Sequence, residues 1–145
     1  MNKPKFIWDE STGEATCWYP HPTTGKIYEG KAYCNIIDND FKSEKIGCYI
    51  AETRAILQIM RDERDKTAAS LKTLKHLYET MEQGWHEDKP NHQMILTKRE
   101  IIRKGVELKQ YREIIQTMTW ALHTYITDKE KFHEKIRKNR QVNNN

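Results

Sequence analysis

From Ile46 onward, apolar or tolerant positions recur at alternating steps of four and three: Ile46, Ile50, Thr53, Leu57, Met60, Arg64, Thr67, Leu71, Leu74, Tyr78 and Met81. A seven-residue period kept this long without a slip is satisfied by a helix with a single seam. The spacing predicts a helix over 43–83, with Ser43 as its N-cap and Ile46 where a full capping box would need Glu. At 1.5 Å per residue such a helix is roughly 60 Å long, more than a small sheet can cover. A second seam follows through Met94, Thr97, Ile101, Lys104, Leu108, Tyr111, Ile115, Met118, Leu122 and Tyr125, continuing weakly through Phe132 and Ile136. It predicts a helix over 93–138. The connector, 84–92, is bracketed by Gly84 and Pro90 and is short enough to fold the two helices back as an antiparallel hairpin. Residues 139–145 are polar and aperiodic, and read as a disordered tail.

The N-terminal region has a different period. Phe6-Ile7-Trp8, Ala15 to Tyr19, Lys26 to Tyr28 and Lys31 to Ile37 are rich in aromatic and β-branched residues, and turn formers separate them at Ser11-Thr12-Gly13 and Pro22-Thr23-Thr24-Gly25. Short strands joined in a small antiparallel β-meander over 5–37 are expected. Gly30, Ala32 and Cys34 alternate with Lys31, Tyr33 and Asn35, giving one packed face and one available face. The fold class expected is therefore α+β, a single domain with the meander packed on the helical hairpin.

A chain of 145 residues has room for one domain. No stretch approaches the apolar length of a bilayer span, and the first residues lack the apolar core of a signal peptide, so the chain reads as soluble and unexported. Cys17, Cys34 and Cys48 form no CxxC pair and leave an odd number, which suits reduced, buried thiols. Both helices also carry apolar residues off the seam: Ile56, Ile59 and Leu77 on the first, and Ile95, Ile102, Val106, Ile114 and Trp120 on the second. These need another partner, and self-association into at least a dimer is expected.

Catalytic signals are poor. The six histidines form no HExxH and no pair at helical spacing; GxSxG, GxxxxGK[ST] and GxGxxG are absent; Asp38-Asn39-Asp40 begins like a calcium loop but lacks its Gly and closing Glu. No enzyme, metal site or cofactor is expected. Binding signals are stronger. The net charge of +4 comes entirely from residues 93–145, which hold twelve basic against six acidic side chains. Arg99 and Arg103 stand four apart on one helical face, with Lys109 and Arg112 beyond them, a ladder that suits phosphate. Tyr78 and Trp85 near the bend offer rings for a base, and Asn91 could pair with an adenine edge. A polymeric nucleic-acid binder remains an alternative, although residues 1–92 are slightly acidic and no compact recognition motif is present. A coiled-coil or virion-assembly protein would need only the seams.

Gly30-Lys31-Ala32-Tyr33-Cys34, the acidic pair Asp38 and Asp40, and Gly47-Cys48-Tyr49-Ile50-Ala51-Glu52-Thr53-Arg54-Ala55 ahead of a long helical hairpin form a pattern found in small phage proteins. Over residues 27–126 the chain resembles the Thoeris anti-defence proteins of the first type, phage sponges that sequester cyclic ADP-ribose isomers made by bacterial TIR enzymes. The resemblance implies a β-meander on a helical hairpin, dimers and assemblies up to hexamers in the host cell cytoplasm, and binding of an intact signal, with cyclic di- and trinucleotides held by some members. No membrane or polymeric nucleic acid is implied as a partner. The family's aromatic ring and Asn near the bend fall on Trp85 and Asn91. Its second-helix arginines fall among Arg99, Arg103 and Arg112, and Arg54 is a further candidate.

Overall fold

The structure, a computed structural model, describes residues 3–33, 43–85 and 91–144. Strands β1 (Lys5–Asp9), β2 (Glu14–Pro20) and β3 (Ile27–Tyr33) form one antiparallel sheet in the order β1-β2-β3, and two long helices follow, α1 (Glu44–Gln83) and α2 (His92–Asn143). This is the α+β meander and helical hairpin that the two periods predict. The turns form where the sequence supplies both a cap and a glycine. The Asp9 carboxylate accepts from the Ser11 amide at 3.0 Å and the Ser11 hydroxyl at 2.6 Å, and the chain returns through Gly13 at φ 70°. At the second turn His21 Nδ1 accepts from the Thr23 and Thr24 amides, each at 3.1 Å, and Gly25 takes φ 72°.

Two segments expected as separate strands, Lys26 to Tyr28 and Lys31 onward, are one strand. Gly30 continues the ladder opposite Cys17, with Glu29 opposite Trp18 and Lys31 opposite Thr16. Cys34, Asp38 and Asp40 lie outside the described residues. Ser43 caps α1 as predicted, its hydroxyl accepting from the Ile46 amide at 3.3 Å. Helix α2 runs on to Asn143 in place of the tail expected from 139. No Gly or Pro interrupts residues 106–143, and Glu134 pairs with Lys138 at 3.1 Å one turn apart.

The chain forms two compact units, residues 1–59 with 116–145, and residues 60–115. In the first, the inner face of the sheet lies on α1 through small side chains: Ala15, Cys17, Ala32, Ala51 and Ala55 make the core, with Trp8, Tyr19, Cys48 and Ile50 around it. A Cβ on Gly30 would stand 2.0 Å from the Ala51 carbonyl oxygen and 2.6 Å from the Ala55 nitrogen, so strand and helix backbones are nearly in contact. From that helix, Arg54 Nη1 donates to the Lys31 carbonyl at 2.7 Å and Gln58 Nε2 to the Glu29 carbonyl at 2.6 Å. In the same unit the rings of Tyr49 on α1 and Tyr125 on α2 meet at 4.7 Å.

In the second unit the helices run antiparallel, Thr97 Oγ1 reaching Met81 Sδ at 3.9 Å near the bend. Seam positions from Ile46 to Met81 and from Met94 to Tyr125 are all buried or half-buried, whereas Phe132 is exposed. Of the off-seam residues Ile59 is buried and Ile56 half-buried; Leu77, Ile95, Ile102, Val106, Ile114 and Trp120 are exposed.

Three consequences are measurable. Gly30→Ala should destabilise by about 3 kcal/mol or more in urea unfolding, because backbone atoms stand where the methyl must go. Gly25→Ala, strained at φ 72° with open space around it, should cost about 1 kcal/mol. Burial, reinforced by Glu52 and Cys48, pushes the Cys17 thiol from 9.0 to about 11. Above pH 9 the unfolded chain loses this proton while the folded chain keeps it, so the thiol's contribution to stability falls as pH rises toward 11. Cys17→Ala should therefore flatten the decline of stability over that window by up to about 1.4 kcal/mol per pH unit.

Candidate functional site

The beginning of α2 is fixed by Asn91. Its side-chain Oδ1 accepts from the Met94 amide at 2.8 Å and its carbonyl from the Ile95 amide at 3.2 Å. Thr97 Oγ1 donates to the Gln93 carbonyl at 2.8 Å, and the first turn carries no acidic residue. Helical spacing then sends Ile95, Lys98, Arg99 and Ile102 along one face, at steps of three, four and seven from Ile95. With Tyr78 from α1 and the buried Met94, these residues line a cavity of about 280 Å³ within the 60–115 unit. Its walls are apolar, one side is an aromatic ring, and two cations stand at its margin.

Of the seven residues selected from sequence, the structure brings Tyr78 and Arg99 together here. Asn91 lies at the start of the same helix, but its acceptor oxygen serves the helix cap and the side chain is not part of the cavity wall. Trp85, half-buried, closes the end of α1 with its amide donating to the Glu82 carbonyl at 3.3 Å, and it also does not line the cavity. Arg103 is ion-paired with Glu100, whose hydrogen bond and charge raise the guanidinium's pKa. Arg112 is exposed further along α2. Arg54 belongs to the other unit, where its guanidinium holds the edge of β3.

Sequence reasoning missed Lys98 and the apolar walls. The signal is present in the sequence, since Ile95 and Ile102 lie off the seam one turn either side of Lys98 and Arg99, but apolar residues alone point only to an association surface. Among the described residues no group of three or more His, Cys, Asp or Glu could hold a metal ion, and every buried side-chain nitrogen or oxygen has a hydrogen-bond partner. A second cavity, about 490 Å³, lies around the β2–β3 turn between Pro4, Tyr19 and the His21–Gly25 segment, without a charged side chain at its wall.

No known protein family, curated protein or solved structure matches this chain. The cavity's chemistry must be argued from its own residues. An ammonium and a guanidinium beside one another offer a compact charge and a planar fork to phosphate oxygens, and a phenol ring offers a stacking face.

The cap is open to measurement. Asn91→Ala should cost about 1 kcal/mol of stability, read from thermal or urea unfolding, while Asn91→Asp, which keeps an acceptor oxygen at the helix N-terminus, should retain it.

Proposed function

We propose that this protein is a phage anti-defence protein that binds and sequesters cyclic ADP-ribose-type signalling nucleotides without cleaving them, blocking activation of the host defence effector. The observation that carries the reading is the cavity that sets the Tyr78 ring beside Lys98 and Arg99 against apolar walls. The likeness of residues 27–126 to the Thoeris anti-defence proteins supports the same ligand class, with cyclic di- and trinucleotides as further candidates. Lys98 and Arg99 receive the phosphates, the Tyr78 ring receives a base, and Met94, Ile95 and Ile102 exclude water from one side. Sequestration asks for neither a nucleophile nor a general base. A volume of about 280 Å³ lies at the lower edge of the roughly 300–1,000 Å³ usual for small-molecule sites, so one chain holds part of such a ligand and a second copy completes its enclosure.

A second reading, a coiled-coil assembly protein of a phage, is favoured by one observation: Ile102, Val106, Ile114 and Trp120 of α2 are between 42% and 68% exposed. A surface of that kind serves protein contacts without any ligand.

The two readings separate in one experiment. The purified protein is incubated with cyclic ADP-ribose isomers and cyclic oligonucleotides, its melting temperature is followed, and the ligand is recovered by heating and identified by chromatography. A sequestering protein melts higher by mass action and returns the ligand unaltered. Arg99→Ala or Tyr78→Ala should weaken binding by about 10- to 100-fold while Arg112→Ala leaves it unchanged. If no ligand shifts the melting temperature, sequestration fails and assembly stands; a broken product would show an enzyme.

A further inference from the structure

The two edges of the sheet are treated differently by the fold. The hairpin-closing bond from the His21 amide to the Lys26 carbonyl, 2.7 Å, fixes which residues of β2 and β3 exchange hydrogen bonds: Tyr19 with Tyr28, Cys17 with Gly30, Ala15 with Ala32. The carbonyls of Glu29 and Lys31 then face away from the sheet, and Gln58 and Arg54 occupy them. That edge is covered. By the same alternation β2 turns the backbone groups of Glu14, Thr16 and Trp18 toward Asp9, Ile7 and Lys5 of β1. The backbone N–H and C=O of Phe6 and Trp8 therefore face outward along the free edge of β1, and among the described residues no strand pairs with them. This edge is also apolar, with Phe6 41% and Ile7 55% exposed. An open, apolar strand edge is the usual template for adding another strand.

We propose that the outer edge of β1 is a dimer seam, occupied by β1 of a second copy of this chain in antiparallel register with Ile7 on the two-fold axis. Three features single out this occupant and register. First, only even-numbered residues of β1 have outward groups, so they must face one another across the seam. Second, Phe6 opposite the partner's Trp8 satisfies both residues twice over, giving four hydrogen bonds. Moving the axis to Phe6 would set Trp8 against Pro4, which has no N–H to give, and moving it to Trp8 would carry Phe6 into the turn beyond Asp9. Third, the chosen register places Lys5 opposite the partner's Asp9 at both ends, so charges of opposite sign meet as Ile7 meets its own copy. The Asp9 carboxylate is suited to this, because the Ser11 hydroxyl hydrogen bond lowers its pKa and keeps it ionised. The result is a continuous six-stranded sheet, each outer end closed by Arg54 and Gln58. The seam needs no ligand and is independent of the functional reading above.

Sedimentation velocity on the full chain tests it. Ile7→Lys puts two ammonium groups at the axis and should weaken dimerisation at least about tenfold, as should Ile7→Glu, with each variant keeping the parent's circular dichroism. Mixed in equal amounts the two variants should dimerise again, since opposite charges then face each other. Ile7→Cys should form a covalent dimer on mild oxidation, because non-hydrogen-bonded partners stand about 4.5 Å apart at Cα, within disulfide range. Phe6→Cys, which meets the partner's Trp8, should not. A parent that sediments as a single chain overturns the proposal. So does I7K at the parent's mass, which would mean association through the helices, or I7C that stays uncrosslinked in a dimeric parent.

Discussion

A helix can approach a sheet only as closely as the side chains between them allow, and here that spacing is set by residues with almost no side chain. Gly30 on β3 meets the backbone of α1 at Ala51 and Ala55, and Gly47 on α1 meets Trp8 and Ala15. The core between them is alanine and cysteine. So small a core removes little apolar area from water, and its stability depends on dense contact rather than on bulk. The close approach has a second effect. It lets Arg54 and Gln58, four residues apart on α1, reach the carbonyls of Lys31 and Glu29, distances a helix held further out could not span. The geometry that makes the core also covers one sheet edge.

The seams of the two helices place weaker demands on packing. Arg64 and Lys104 sit at positions where a tight pair would carry leucine, and most seam residues are half-buried. What is buried best, Leu57, Thr67, Met94, Leu108, Ile115 and Leu122, is spread along the helices and not gathered in a block. Such a pair stays together through many modest contacts, leaving the outward apolar residues of α2 unshielded. Near the bend the bulk of Tyr78, facing the start of α2, leaves space beside Met94 instead of filling it.

Period and punctuation made the fold legible. The seams gave both helices, Ser43 the start of the first, and Gly13 and Gly25 the turns, because each of these is a local constraint that holds in any tertiary setting. The end of α2 was not legible, since a polar composition argues against burial but not against a helix. Asn91 is ambiguous for a related reason: the same amide that can pair with a base also caps a helix, and only the neighbouring amides show that its acceptor oxygen serves the cap here. Arg54 is a similar case: a guanidinium suits a phosphate, and only the structure shows it donating to a backbone carbonyl 23 residues earlier in the chain. At the site, Arg99 follows from helical spacing and Tyr78 from its place near the bend, whereas Lys98 and the apolar walls require knowing which face of α2 meets Tyr78.

The exposure of that face constrains how sequestration could work. Ile95 and Ile102 are 39% and 60% exposed although they line the cavity. Cations at a wetted surface gain little from an anion, typically about 0–1 kcal/mol for an exposed ion pair, because water and salt screen them. Lys98 and Arg99 acting alone would therefore hold a phosphate weakly. On the proposed reading, tight binding requires that a second surface cover the isoleucines once the ligand is seated, lowering the local dielectric and strengthening each charge-assisted hydrogen bond. Ligand and covering surface would then each favour the other by the same free energy, so that affinity rises with assembly and assembly with ligand. On that reading a ring, two cations and an unfinished apolar wall make half of a binding site, and the half they lack is the part that decides how tightly it closes.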